Sequence, residues 1–281
     1  MNILIYNDKT YHNELIETVI NKYHELLGIS KEECKFDKLF ISVVNEEESF
    51  IKYITDKYPK VVFLRPDDKH LDKIISCTIH RSDFNRVKDL DKDKYYFICH
   101  RHTKFYRNMV NVFYLTPLGH PQRYIEMDIL PYSEMSLDNK KPVFLVIGNV
   151  RNRNWNLLVD IFKVKSLPSF KVKILTYCDF PKELDPYKDR IIYHRGLDFL
   201  QFHKECSECY CIMALLSKED QPQYYSQKLT STIAYTMAYR FKCILDQDLQ
   251  DIYQLKNGVS YKKDIVPAFT KVLNKYYQKA S

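Results

Sequence analysis

Two short stretches hold the side chains best suited to bind an anion. The first, YYSQKLTSTIAYTMAYRFKCIL over 224–245, sets Ser226, Lys228, Thr230 and Ser231 at the front of an apolar run. Within that run Leu229, Ile233 and Met237 recur every four residues, a spacing that predicts a helix with one buried stripe. One hydroxyl suffices to cap such a helix, and Ser226 or Thr230 would serve. Three hydroxyls and a lysine exceed that need, whereas a diphosphate on the unpaired N–H groups of the first turn would use them all. The second stretch, VFLVIGNVRNRNWNLL over 143–158, ends a buried run in Gly148-Asn149 and offers Arg151 and Arg153 before a helix. Glycine lets a ligand approach the backbone, and guanidinium forks match phosphate oxygens. A tight strand–helix turn with solvated arginines accounts equally well for the same residues. The later glycines of a dinucleotide fingerprint are missing.

Acid–base candidates fall in the first half. YYFICHRHTKFY, 95–106, carries His100 and His102 beside Arg101 and Lys104. Alternate residues of a strand face opposite ways, so His100 can face a ligand while Arg101 points away. His100 would then serve as general base on an acceptor hydroxyl or hold a transferred group, against the plainer reading of a surface histidine pair. Asp8, just beyond the first strand, is the alternative base, and a turn or cap aspartate is the competing account. Cys206, Cys209 and Cys211, with His194 and His203 nearby, have a spacing that zinc can use. They bracket a buried strand and lack a second cluster, so they read as core residues and no metal site is expected.

The elements that must position these residues follow from periodicity. Strand-like runs stand at 3–6, 39–44, 61–64, 96–99 and 112–115, then at 143–147, 172–176, 191–193, 211–215 and 243–245. Helical spacing fills 11–27, 46–57, 154–165, 198–208, the opening stretch, and 265–277. Strands alternating with helices imply βαβ units and parallel sheets, here twice. The polar, proline-flanked segment 131–142 is the expected linker between domains 1–140 and 141–281; one continuous sheet with a long loop at 116–142 is the alternative. In doubly wound sheets ligands bind beyond the carboxyl ends of the strands. That rule nominates 7–12, 65–70 and 100–104 in the first half, and 148–154, 177–181, 195–197, 217–231 and 246–248 in the second. Tyr177, at such a strand end, could stack on a base or a sugar, or simply pack.

Composition sets the bounds. The chain has 281 residues with 45% apolar and 28% charged side chains, an ordinary globular balance. Residues 1–140 hold 21 Lys+Arg against 22 Asp+Glu, net −1; residues 141–281 hold 22 against 14, net +8. A basic half beside a neutral one suits a phosphorylated ligand. Nucleic acid is the rival, but the basic residues form no helix-face stripe and no nucleic-acid motif. Eight cysteines without a signal-peptide pattern imply a reducing compartment, so a cytoplasmic protein is expected. No apolar run reaches the ~20 residues of a membrane span.

The second half resembles the carboxyl-terminal domain of GT-B-fold glycosyltransferases, most closely the retaining nucleotide-sugar superfamily. The resemblance rests on three blocks in the family's order: FLVIGNVRNRNWNLLVDIF, RIIYHRGLDFLQFHKECSECYCIMALLS and KLTSTIAYTMAYRFKCIL. It covers about residues 143–250. It implies an α/β, GT-B-like fold of two doubly wound Rossmann-like domains facing a cleft, with the final helix, about 265–278, packing back towards the first domain. By the same resemblance Gly148, Asn149, Arg151 and Arg153 match the positions near the donor phosphates. Arg195 and Gly196 match the loop near the base, and Ser226, Lys228, Leu229, Thr230 and Ser231 match the diphosphate loop. At the family's acidic position stands Tyr235, and at its later glycine Arg240.

The function so implied is metal-independent transfer of a sugar from a UDP- or GDP-linked donor to a hydroxyl of a glycan, lipid-linked or protein acceptor, without a separate cofactor. A catalytically silent nucleotide- or sugar-binding protein of the same fold is the alternative, motivated by Tyr235; a nucleic-acid binder ranks third.

Overall fold

The computed structural model describes residues 1–118, 121–128, 142–149, 151 and 153–280. The linker expected at 131–142 lies outside them except for Pro142. Two compact units emerge: Met1–Ile129 with Gln227–Leu229, and Leu130–Ser226 with Thr230–Ser281. Each unit has its own six-stranded sheet, so the single continuous sheet is set aside. Gln227, Lys228 and Leu229 group with the first unit, although the sequence boundary at 140 assigned them to the second.

The first unit runs β1 (Asn2–Asn7), α1 (Glu14–Leu27), β2 (Lys38–Val43), α2 (Glu48–Lys57), β3 (Val61–Phe63), β4 (Lys73–Ser76), α3 (Phe84–Val87), β5 (Tyr95–Cys99) and β6 (Val112–Tyr114). The strand order is β3-β2-β1-β4-β5-β6, and every pairing is parallel. β1 is covered on both faces, so Ile3, Leu4 and Ile5 are all fully buried, as a central parallel strand requires. α1 lays Leu15, Ile16, Val19, Ile20, Tyr23 and Leu26 inward. It ends where Gly28, at φ 66°, enters the left-handed region; Gly28 N–H bonds to Glu25 O and Ile29 N–H to His24 O, a Schellman closure.

One buried charge ties α1 to α2. Glu17 has no exposed surface; its carboxylate accepts from Lys57 Nζ at 2.6 Å, from the Tyr58 hydroxyl at 3.1 Å and from the Tyr53 hydroxyl. Three donors offset the cost of removing that charge from water.

The second unit runs β7 (Val143–Ile147), α4 (Trp155–Lys163), β8 (Lys171–Thr176), β9 (Ile191–Arg195), α5 (Phe199–Ser207), β10 (Cys211–Met213), α6 (Ser231–Tyr239), β11 (Lys242–Asp246), α7 (Gln247–Tyr253), β12 (Gly258–Tyr261) and α8 (Val266–Ala280). Its order is β12-β11-β10-β7-β8-β9, again all parallel. Numbered from its own first strand, this is the same 3-2-1-4-5-6 winding as the first unit. α4 buries Trp155, Leu158, Ile161 and Phe162. α8 lies on the second unit's core: Phe269 meets Phe144 at 4.3 Å between ring centroids and Phe170 at 4.7 Å. Its apolar stripe, from Ile265 just before the helix through Phe269, Val272 and Leu273 to Tyr276, belongs to that core.

Replacing Lys57 with Met leaves the Glu17 carboxylate buried without its cation. We expect a loss of roughly 3–5 kcal/mol in urea unfolding, and recovery of most of it in the double variant Glu17→Leu/Lys57→Met.

Candidate functional site

In a 3-2-1-4-5-6 sheet the winding reverses between the first and fourth strands, and ligands bind at the carboxyl edge there. The second unit's reversal falls between β7 and β10, which are paired at Phe144↔Cys211 and Ile212↔Leu145. β7 ends in Gly148, at φ 92°. A Cβ at this position would lie 2.7 Å from Ser231 Oγ and 3.1 Å from Arg153 Nη2. The turn therefore runs directly against the start of α6, and only glycine fits on both backbone and steric grounds.

The side chains around that contact divide into holders and presenters. Arg153 is a holder: it is 7% exposed and donates from Nη2 to Ile147 O at 2.7 Å. Burial lowers its pKa, opposed by Tyr224. The sequence reading offers Arg153 as a fork for phosphate oxygens; in the fold its Nη2 closes the turn. Asn149 also shapes the turn, its Oδ1 accepting from Arg151 N–H at 2.9 Å. Arg151 itself is exposed. Thr230 is the N-cap of α6 and accepts from Thr232 N–H at 3.3 Å, while Ser231 opens the helix. Ser226 is turned to Pro222 O at 3.0 Å. The register Ile147↔Leu175 and Leu175↔His194 brings the ends of β8 and β9 to the same edge. There Tyr177 is 77% exposed, Arg195 pairs with Asp179, and Gly196 turns at φ 66° with open space beside it.

Position 235 explains its own departure. Tyr235 sits in the second turn of α6, buried, with ring centroids 5.4 Å from Phe202, 6.0 Å from His203 and 5.9 Å from Tyr239. An acid among these rings would be costly to ionise. Arg240 takes the left-handed C-cap at φ 54°, so the glycine geometry persists without the glycine.

The first unit's reversal falls between β1 and β4, in register at Tyr6↔Ser76. The buried Asn7 organises the loop after β1, donating to Tyr11 O at 2.7 Å and to Asn13 Oδ1 at 3.0 Å and accepting from Lys9 N–H at 3.2 Å. That loop holds His12 at φ 70°, a strained setting for a side chain of this size. Three imidazoles from three loops meet there. His100 lies 5.2 Å from His12 and 4.9 Å from His80, ring to ring. Tyr11 hydroxyl bonds His80 Nε2 at 2.9 Å, and His12 Nδ1 bonds Glu14 Oε1 at 2.9 Å. Lys228 is joined to this edge by a bridge to Arg101, with Leu229 N–H on His100 O at 3.2 Å and His102 N–H on Gln227 O at 2.7 Å. Lys228 and Leu229, expected beside Ser231, thus extend the first unit's edge.

Burial, then the charges of His12, Lys228, His80 and Arg101, push the His100 pKa down to about 2. His80 is lowered as well, by burial first and Lys9 next. A base so weak takes a proton poorly near neutrality, which weighs against the general-base role expected of His100 and favours neutral hydrogen bonding. Its buried Nδ1 has no hydrogen-bond partner. Asp8 is engaged by Arg86 at 2.7 Å and Lys9 at 3.5 Å, which suits a structural carboxylate better than a base. His12 and His80 were not singled out from sequence. The loop 7–12 is nominated, but His80 follows β4, a four-residue strand whose only apolar residues are Ile74 and Ile75 and which therefore does not stand out in the sequence.

The cysteine cluster is dispersed into packing. Cys206, Cys209 and Cys211 are buried, their thiols pushed up by burial, and His203 Nδ1 pairs with the Tyr239 hydroxyl. Three Asp-x-Asp triplets, at 89–91, 91–93 and 246–248, are present in the sequence. Among the described residues no group of three or more His, Cys, Asp or Glu is placed to hold a metal ion. No helix among them is long and apolar enough to cross a membrane.

No family model matches the chain, and no curated protein matches it in sequence. Solved structures do match it in fold. Anabaena HepE, in complex with UDP-glucose, aligns over 100% of this chain and 90% of its own with a TM-score of 0.57 and 8% identity. AviGT4, a glycosyltransferase involved in avilamycin A biosynthesis, aligns over 98% and 88% with a TM-score of 0.51 and 8% identity. The fold is α/β and GT-B-like, with two doubly wound units, as the three sequence blocks imply.

Gly148→Ala should cost roughly 2 kcal/mol in denaturant unfolding from the positive φ and the contact with Ser231. Adding Ser231→Gly should return the steric part only. Between pH 8 and 5 the His100 ring resonances should stay flat. Its lowered pKa means that the unfolded chain binds the proton first, so stability is lost as pH falls below about 6.5. His100→Asn should shallow that loss in unfolding measured at several pH values.

Proposed function

We propose that this protein is a glycosyltransferase that moves a sugar from a nucleoside diphosphate sugar to a hydroxyl acceptor. The observation carrying this reading is the close approach of Gly148 to Ser231, which sets a glycine turn against a helix N-terminus at a topological switch point. Backbone N–H groups, the Thr230 and Ser231 hydroxyls and the exposed Arg151 there suit a diphosphate. As the glycosidic bond breaks, the nucleoside diphosphate leaves with negative charge, which the α6 N-terminus and Arg151 stabilise without a metal in this reading. Arg153 contributes by holding the turn. Gly196, Arg195 and Tyr177 lie along the same carboxyl edge and would face the nucleoside. The fold shared with HepE, which was solved with UDP-glucose, supports a UDP-linked donor.

On the first unit, the acceptor hydroxyl would give its proton to His12. Its Nδ1 contact with Glu14 orients the ring, an arrangement of base and orienting carboxylate. Neutral His80 and His100 would hydrogen-bond the acceptor or the sugar. The acceptor would be a glycan, a lipid-linked saccharide or a protein.

A second reading, a nucleotide-sugar binder without turnover, is favoured by Tyr235, whose packing leaves no acid at that point of α6. Thermal shift with UDP, GDP and UDP-glucose, followed by nucleotide release from the donor, separates the readings. We expect a shift with at least one nucleotide, slow release with donor alone, and loss of release in His12→Ala at least a hundredfold with the shift retained. A shift without release under any acceptor tried would favour the binder; no shift at all would overturn both.

A further inference from the structure

A second polar pocket lies in the second unit, at the carboxyl ends of β10, β11 and β12. It encloses about 930 Å³, and none of Gly148, Asn149, Arg151, Thr230 or Ser231 lines it. Its walls carry both signs of charge. Glu219, Asp246, Asp248 and Asp251 supply carboxylates, and Lys218, Lys262 and Lys263 supply ammonium groups.

Part of this charge is already spent. Lys218 pairs with Asp248 at 2.5 Å. Gln247 Nε2 donates to Asp251 at 2.7 Å. One oxygen of Asp246 caps α7 through Asp248 N–H at 2.9 Å. Glu219, Lys262 and Lys263 form no ion pair with any described residue.

One phenol points to a ligand independently of the charges. Tyr261 forms part of the wall, is only 7% exposed, and its hydroxyl has no hydrogen-bond partner among the described residues. Unpaired buried hydroxyls are costly and uncommon in a settled core.

We propose that this pocket binds a neutral saccharide, at a subsite separate from the diphosphate cradle. A ligand of one charge would meet the opposing sign on the same wall. Sugar hydroxyls both donate and accept, so they can give hydrogen bonds to Asp246 and Glu219 and take them from Lys262, Lys263 and the Tyr261 phenol. Leu157 and Leu216 in the wall suit the apolar C–H face of a pyranose ring. The volume admits at least a disaccharide, which fits a glycan chain held beyond its reacting end. The inference rests on the second unit alone and does not require turnover.

Saturation-transfer NMR and calorimetry of the full chain with cellobiose, maltose, lactose and N-acetylglucosamine test it. UDP thermal shift is run in parallel, so failure here and failure of the glycosyltransferase reading stay distinct. We expect millimolar binding of at least one neutral sugar, weakened at least tenfold by Tyr261→Phe, which deletes only the hydroxyl, with the UDP response unchanged. Lys262→Gln, at the exposed mouth, gives a second variant that does not touch the core and should weaken the same sugar severalfold. Absence of binding to every sugar, binding unaffected by both variants, or binding of methylammonium or acetate in place of the sugars would overturn the proposal.

Discussion

The contact between the turn after β7 and the first residue of α6 constrains more of the second unit than any other. With 2.7 Å between a would-be Cβ at Gly148 and Ser231 Oγ, neither segment can move without the other. Arg153 must fold back onto Ile147 O to close the turn, and Thr230 must cap the helix. α6 then presents its inner face to the sheet and its first turn to the carboxyl edge. The placement of the first turn of α6 is thus a by-product of packing a helix as closely as a side-chain-free residue allows.

The first unit solves a related problem with imidazoles. Its sheet winds in the same order and reverses at the same relative position, yet the loop after β1 carries no glycine. Asn7 takes over the shaping of that loop through its side-chain hydrogen bonds, and His12 accepts a positive φ. The result is a crowded, partly buried cluster in which burial first, and neighbouring charges next, disfavour the protonation of His100 and His80.

Strand and helix periodicity carried most of the fold. Among the described residues, ten of the twelve strands and six of the eight helices correspond to runs visible in the sequence. The missed strands, β4 and β12, are short and carry serine or glycine where an apolar residue would have marked them. The missed helices, α3 and α7, span four and seven residues, too few for a helical period to stand out. Missing β4 mattered for function, since it hid the first unit's reversal and with it His80. The grouping of Lys228 with the first unit escaped the sequence for another reason: residues next to one another in sequence separated between two units within a single step of the chain.

The sequence by itself determined that the chain is α/β and doubly wound, that Gly148 follows a strand and the Thr230–Ser231 pair opens a helix, and that the second half carries the basic excess. These follow from local spacing and composition, which any segment expresses without reference to distant residues. Only the tertiary structure decided that Arg153 closes a turn, that Tyr235 belongs to an aromatic cluster, that Lys228 joins the first unit's edge and that His100 is buried where protonation is disfavoured. Each of those depends on what lies within a few ångströms across the sheet, because desolvation and pairing set the state of a charged side chain.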